Sequence, residues 1–159
     1  MEQSASNTIV LVDDEEMVVT SIKSFLTLET DYNVVAFTSP KEALEHIREH
    51  KVDLVISDYL MPDMDGIEFL AIVKELQPEA TRVLLTGYAD KENAIKAIND
   101  VGLYQYIEKP WENDDLKLII RNGLEKTMLL KRLQDKIGEV NKAHEELMSV
   151  QKEILKAFA

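Results

Sequence analysis

Leu54-Val55-Ile56-Ser57-Asp58-Tyr59-Leu60-Met61-Pro62 drives an apolar run straight into a carboxylate, and the reading of this stretch decides the fold. A run of β-prone residues without polar alternation fits a strand buried on both faces, as in a parallel sheet covered by helices. Asp58 then stands at the carboxyl end of that strand. Open α/β sheets bind ligands at that edge, which makes Asp58 a candidate reactive group, with Pro62 and Gly66 shaping the loop beyond it. Taken alone, the same aspartate reads more readily as a loop cap; only partners elsewhere in the chain shift the balance.

The pattern recurs on both sides. Upstream, Thr8-Ile9-Val10-Leu11-Val12 reads as a buried strand ending in Asp13-Asp14-Glu15-Glu16, followed by the helical spacing of Val18, Ile22, Phe25 and Leu26. A second strand, Asn33 to Phe37, runs into Ser39-Pro40-Lys41-Glu42. There Ser39 suits an N-cap, Pro40 the first helical position and Glu42 the third residue of a capping box. That helix turns Ala43, Leu44 and Ile47 inward and ends near His50.

Downstream of Asp58, a helix from about Gly66 to Leu76 is broken by Pro78, and Arg82-Val83-Leu84-Leu85-Thr86 makes a fourth strand. Asp90 is placed to cap a helix presenting Ala94, Ile95, Ala97 and Ile98, closed by Asp100-Val101-Gly102. Tyr104 to Glu108 forms a fifth strand stopped by Lys109-Pro110, and from about Asn113 nothing breaks a helix to Ala159. Strict alternation with short connections predicts an α/β doubly wound parallel sheet. Periodicity does not fix the strand order.

A chain of 159 residues, 45% hydrophobic and 30% charged, suits one ordinary core plus an appendage. With no cysteine there are no disulfides, thiolate nucleophiles or zinc–sulfur sites, which fits a cytoplasmic location. The stretch Met1 to Asn7 is polar and shows no secretory signal, and apolar runs of four or five residues are too short for a membrane span. The net charge of −12 is uneven: Leu124 to Ala159 holds seven Lys and Arg against six Asp and Glu, leaving eleven against twenty-four before it. An acidic surface repels phosphates, so direct nucleic-acid binding is not expected, whereas a divalent cation or a basic partner suits it.

Four strands end in polar residues that can meet at one edge: Asp13 and Asp14, Asp58, Thr86, and Lys109. Converging carboxylates repel one another unless a cation neutralises them, and oxygen-only ligands select a hard ion such as Mg²⁺. With a lysine to hold an anionic oxygen and a hydroxyl donor, the set fits phosphoryl transfer.

Val12-Asp13-Asp14-Glu15, Ser57-Asp58-Tyr59-Leu60-Met61-Pro62, Leu85-Thr86-Gly87 and Glu108-Lys109-Pro110 together resemble the signature of response-regulator receiver domains of bacterial two-component signalling, over about Thr8 to Leu124. The resemblance implies a flavodoxin-like five-stranded sheet of order 2-1-3-4-5 with the site at its switch point. It implies that Asp58 accepts a phosphoryl group from a sensor histidine kinase or phosphotransfer protein. Mg²⁺ is then bound by Asp14, Asp58 and the backbone carbonyl of Leu60, with Asp13 acting through a metal-bound water. Lys109 pairs with a phosphoryl oxygen, a cis bond precedes Pro110, and Thr86 and Tyr106 form a switch pair. Leu60 and Tyr88 occupy two variable positions flanking the path of a hydrolytic water; both are bulky, so a slowly hydrolysed aspartyl phosphate is expected.

In the last helix, counting in sevens gives one seam row of Leu130, Ile137, His144, Gln151 and Phe158 and another of Leu133, Val140, Leu147 and Ile154. The expected organisation is a receiver domain over residues 1–123 and a coiled-coil dimerisation segment over 124–159. A parallel homodimer covers the stripe, and Ala143, Met148, Val150, Leu155 and Ala157 widen it towards the end. The segment is expected to pass the change at Thr86 and Tyr106 to an output domain outside this chain, a cyclic-dinucleotide phosphodiesterase or cyclase by the resemblance, or to be the output itself. Self-phosphorylation and self-dephosphorylation are then the only chemistry expected of the chain. Two other classes remain: a Mg²⁺-dependent phosphatase with Asp58 as nucleophile, disfavoured because Leu60 stands where a general acid is needed, and an inert structural dimeriser. His46, His50 and His144 are read as surface or seam residues.

Overall fold

The computed structural model describes residues 7–157. Five strands, β1 (Thr8–Val12), β2 (Asn33–Phe37), β3 (Leu54–Asp58), β4 (Thr81–Thr86) and β5 (Gln105–Glu108), form one parallel sheet in the order β2-β1-β3-β4-β5. Five α-helices alternate with them: α1 (Glu16–Glu29), α2 (Pro40–Glu49), α3 (Gly66–Leu76), α4 (Lys91–Asp100) and α5 (Asn113–Ala157). This is the flavodoxin-like doubly wound sheet expected from the sequence.

The central strands have no polar alternation because helices cover both of their faces. Successive strand residues point to opposite faces. Ile9, Leu11, Leu54, Ile56, Val83 and Leu85 therefore pack with Val19, Ile22 and Leu26 of α1 and Leu116 and Ile120 of α5. Val10, Val12, Val55 and Leu84 pack with Ile47 of α2, Phe69, Leu70 and Val73 of α3, and Ala94 and Ala97 of α4. Fully burying side chains of this size contributes about 1.5–3 kcal/mol each before chain entropy is counted.

Local signals explain the element ends. Ser39 Oγ accepts from the Glu42 amide at 3.4 Å with Pro40 in the first turn of α2, and Asp65 Oδ1 accepts from the Glu68 amide at 2.9 Å to start α3. Two expectations are corrected at α4. Asp90 makes no capping bond, because a 3-10 turn over Tyr88–Asp90 enters the helix directly. Ile95 does not face inward: it is 45% exposed, and the small Ala94 and Ala97 make the buried contact instead.

The chain divides into two compact units, Met1–Leu124 and Glu125–Ala159. In the second, Leu130, Leu133, Ile137, Val140, His144, Leu147, Gln151 and Ile154 are helical and exposed, while Phe158 lies outside the described residues. No helix among the described residues is long and apolar enough to cross a membrane.

Candidate phosphoryl-acceptor site

Strand register assembles the site. Val12 lies beside Ser57 in the β1–β3 ladder, so the next residues, Asp13 and Asp58, leave the sheet as neighbours. Asp58 pairs with Leu85, and Thr86 pairs with Glu108, which brings the Thr86 hydroxyl and the following Lys109 to the same carboxyl edge. The reversal of strand order between β1 and β3 makes this the crevice where an open α/β sheet takes its ligand.

One carboxylate oxygen from each of Asp13, Asp14 and Asp58 lies within 4.8 Å of the others. Asp13 and Asp58 are buried, whereas Asp14 is exposed. Lys109 Nζ is 2.9 Å from Asp58 Oδ1 and 3.1 Å from Asp13 Oδ2, so one ammonium bridges the two buried acids. The lysine is held by its backbone, whose amide donates to the Thr86 carbonyl at 2.8 Å. The Lys109-Pro110 peptide bond is cis. Asp13 Oδ1 also accepts from the Glu15 amide at 2.9 Å.

Burial raises the carboxyl pKa of Asp13, and the neighbouring Asp58 charge adds to it. Burial likewise raises that of Asp58, opposed by its hydrogen bond and ion pair with Lys109 and reinforced by Asp14. Burial pulls the Lys109 ammonium down, but bonding to Asp58 and Asp13 more than offsets it and holds the group above the ordinary lysine value. Two buried acids beside a third, with one ammonium between them, leave excess negative charge. Oxygen donors in this arrangement fit a hard divalent cation such as Mg²⁺, and Asp13, Asp14 and Asp58 are the side chains that could hold it.

A measurable pH dependence follows. A raised folded-state carboxyl pKa contributes stability below the ordinary carboxylate value and loses it as pH rises through the raised value. In chelator, Asp13→Asn should therefore gain thermal stability relative to wild type as pH rises from the ordinary carboxylate range through the raised value. Thermal denaturation of both proteins across that range checks it; a constant difference contradicts it.

Thr86 is fully buried, and its hydroxyl donates to the Gly87 carbonyl at 3.2 Å. Tyr106 pairs with Leu84, two residues before Thr86, so Thr86 and Tyr106 share one face of the sheet. The Tyr106 ring is partly buried there, against the cluster containing Leu84 and Ala94. Leu60 lies in the loop two residues after Asp58 with its side chain 63% exposed, and Tyr88 is 80% exposed.

The supporting contacts of two residues are not evident in the sequence. Ser57 is fully buried and its hydroxyl donates to the Asp58 carbonyl at 2.9 Å. Gly66 donates its amide to the Tyr59 carbonyl at 2.7 Å, and its Cα faces the Asp58 carbonyl so closely that any side chain would overlap it.

A family model described as the response regulator receiver domain matches residues 9–121. The chain belongs to this family. Receiver domains are signalling modules of two-component systems that typically bind Mg²⁺, take a phosphoryl group on an aspartate and interact with histidine kinases or phosphotransfer proteins. The receiver is similar to the hydrogenase transcriptional regulatory protein HoxA of Cupriavidus necator, 36% identical over 74% of this chain but only 24% of that protein. The chain thus spans about a quarter of the length of that relative. Among solved structures it resembles the signal receiver domain of an HD domain-containing protein from Pseudomonas fluorescens, with TM-score 0.76 and 32% identity over 83% of this chain and 96% of that one. It also resembles the beryllofluoride-activated NtrC4 receiver domain, a dimer in solution, with TM-score 0.70 and 31% identity over 76% of this chain and 98% of that one.

Proposed function

We propose that this receiver accepts a phosphoryl group on Asp58 from the phosphohistidine of a sensor histidine kinase or phosphotransfer protein, and that phosphorylation switches a dimeric C-terminal helix. The observation that carries the reading is Lys109, bridging Asp58 at 2.9 Å and Asp13 at 3.1 Å beside the exposed Asp14. An Asp58 carboxylate oxygen bonds to phosphorus as the phosphorus–nitrogen bond to imidazole breaks. Lys109, already charged and positioned, exchanges a carboxylate contact for a phosphoryl oxygen and costs little reorganisation. Asp14 and Asp58, with the Leu60 backbone carbonyl, would hold Mg²⁺ directly and Asp13 would act through a water; the ion would supply charge neutralisation for phosphoryl transfer. Thr86 turns its hydroxyl from the Gly87 carbonyl to the new phosphoryl oxygen, and Tyr106, on the same sheet face, moves into the space released.

The reading assigns the protein to the cytoplasm, the usual compartment of receiver domains, with no direct nucleic-acid or membrane contact. The segment Glu125–Ala157 supports dimerisation through its exposed apolar rows, and the NtrC4 relative is a receiver dimer.

Incubation with Mg²⁺ and a small phosphodonor tests the chemistry. Intact mass should show one phosphoryl group per chain, located on Asp58, without sustained phosphate release. Sustained release would instead indicate a phosphatase using Asp58 as nucleophile; no uptake would leave only a structural dimeriser. The apolar, exposed Leu60 offers no general acid, which favours the first outcome.

Leu60 and Tyr88 also bear on lifetime, since both are bulky, Leu60 is apolar and the Tyr88 side chain is exposed, so neither orients water well at the aspartyl phosphate. The phosphorylated protein should lose its phosphate over minutes or longer after donor removal. Loss within seconds contradicts this.

A further inference from the structure

His46, in the last turn of α2, and His50, at its C-cap, read as surface residues in the sequence, but the structure brings their rings together. The ring centroids are 4.2 Å apart with the planes 12° from parallel. His46 is half-buried and also lies against Phe37 of β2, with centroids 5.4 Å apart and planes at 51°. His50 is exposed, and its backbone has left the helical conformation. Its Nδ1 is 3.1 Å from the His46 carbonyl oxygen. A carbonyl only accepts, so Nδ1 carries the hydrogen and Nε2 is left with a lone pair.

An imidazole whose other nitrogen donates to a backbone carbonyl is oriented as metal-ligating histidines are. The stretch His46-Ile47-Arg48-Glu49-His50 has the order His-x-x-Glu-His, in which a helix presents two imidazoles and a carboxylate to zinc. Glu49 is close enough for its charge to act on His46. We propose that His46 and His50 together bind a divalent cation of the zinc class, at a site separate from the aspartate cluster.

The donor atoms decide the class of ion. Imidazole nitrogen suits Zn²⁺, Cu²⁺ and Ni²⁺, whereas carboxylate and carbonyl oxygens suit Mg²⁺, so the two sites select different ions. A cation shared by two imidazoles lies in the plane of each ring, and the stack therefore opens on binding. His50, outside the helical backbone, pivots, while Phe37 holds His46 in place. Among the described residues, the only group of three His, Asp or Glu side chains gathered tightly enough to share an ion is Asp13, Asp14 and Asp58. Water thus completes the coordination at His46 and His50, which lack the three protein ligands of a catalytic zinc centre. Gln77 donates to the carbonyls of Ile47 and His50 and accepts from the Val52 amide, so an ion on this turn fastens the end of α2 to the start of β3.

Calorimetric titration of the full chain, free of any added histidine tag, with Zn²⁺ in excess Mg²⁺ tests this at about pH 7.5, where imidazole is mostly neutral. Wild type should bind one ion at this site and melt at a higher temperature with Zn²⁺ than in chelator. His46→Asn and His50→Asn should each weaken binding by more than about tenfold, the least that losing even an outer-shell partner costs. Asp13→Asn should bind Zn²⁺ as wild type does. In wild type the ring-proton NMR signals of His46 and His50 should shift with Zn²⁺ while those of His144 stay in place, a readout that decides the question even if a variant folds poorly. Absence of binding, equal binding by both histidine variants, unmoved His46 and His50 signals, or binding lost in Asp13→Asn would each overturn the site.

Discussion

Asp58→Asn will take up no phosphoryl group from donors that label the wild type, while folding as the wild type does. The amide replaces the carboxylate with a group of similar size at a buried position, but it lacks the charge and nucleophilicity that bond formation to phosphorus requires. Removing a nucleophile is a loss on the order of a thousandfold or more. The fold does not depend on this charge: the strand is held by its pairing with β1 and β4, and Ser57 bonds the Asp58 backbone carbonyl rather than its side chain. Lys109 keeps its ion pair with Asp13. Labelling and circular dichroism on the same sample check both halves of the expectation. Substantial labelling of the variant would move the acceptor elsewhere.

Gly66→Ala will disrupt the site without touching any charged residue. A methyl group there would overlap the Asp58 carbonyl oxygen and lie 2.8 Å from Leu84 Cδ1, with the Asp58 carbonyl carbon at 2.9 Å. Backbone and a fully buried leucine on the central sheet leave little room for relaxation, so either the start of α3 retreats or the end of β3 shifts. Overpacking of this kind costs about 3 kcal/mol, a fall of roughly 10 °C in melting temperature for a domain of this size. Because the shifted strand carries Asp58, phosphoryl uptake should fall in parallel. Thermal denaturation with a labelling assay reads both, and a variant with wild-type stability and labelling would contradict the packing argument.

The sequence made the sheet legible because both faces of each central strand are buried. Ile9 to Val12, Leu54 to Ile56 and Val83 to Leu85 are apolar runs with no alternation, each ending in a polar residue. Parallel register then did the rest, since strands that start together also end together and bring those residues to one edge. The sequence was weaker where a partner is backbone. Arg82, the second residue of β4, is buried, yet no carboxylate pairs with it among the described residues; its guanidinium donates to the carbonyls of Val101 at 3.0 Å and Gly102 at 2.9 Å. Gln77 ties the end of α2 to the start of β3, accepting from the Val52 amide and donating to the carbonyls of Ile47 and His50. Backbone carbonyls leave no mark in a sequence, so neither role could be read there.

At α4 the error came from periodicity itself. Ala94, Ile95, Ala97 and Ile98 have helical spacing, but spacing does not locate the edge of the buried stripe. Ala94 and Ala97 allow α4 close to the sheet, and the larger Ile95 is left at the surface.

The central claim is that acids at the ends of β1 and β3, with Lys109 after β5, form one cation-dependent phosphoryl-acceptor site. Its most direct test is the Mg²⁺ dependence of phosphoryl uptake by the wild-type chain, followed by intact mass with the modified residue located by fragmentation. The account predicts one phosphoryl group on Asp58 with Mg²⁺ and none in chelator. Equal uptake in chelator, or uptake at a residue other than Asp58, would contradict it.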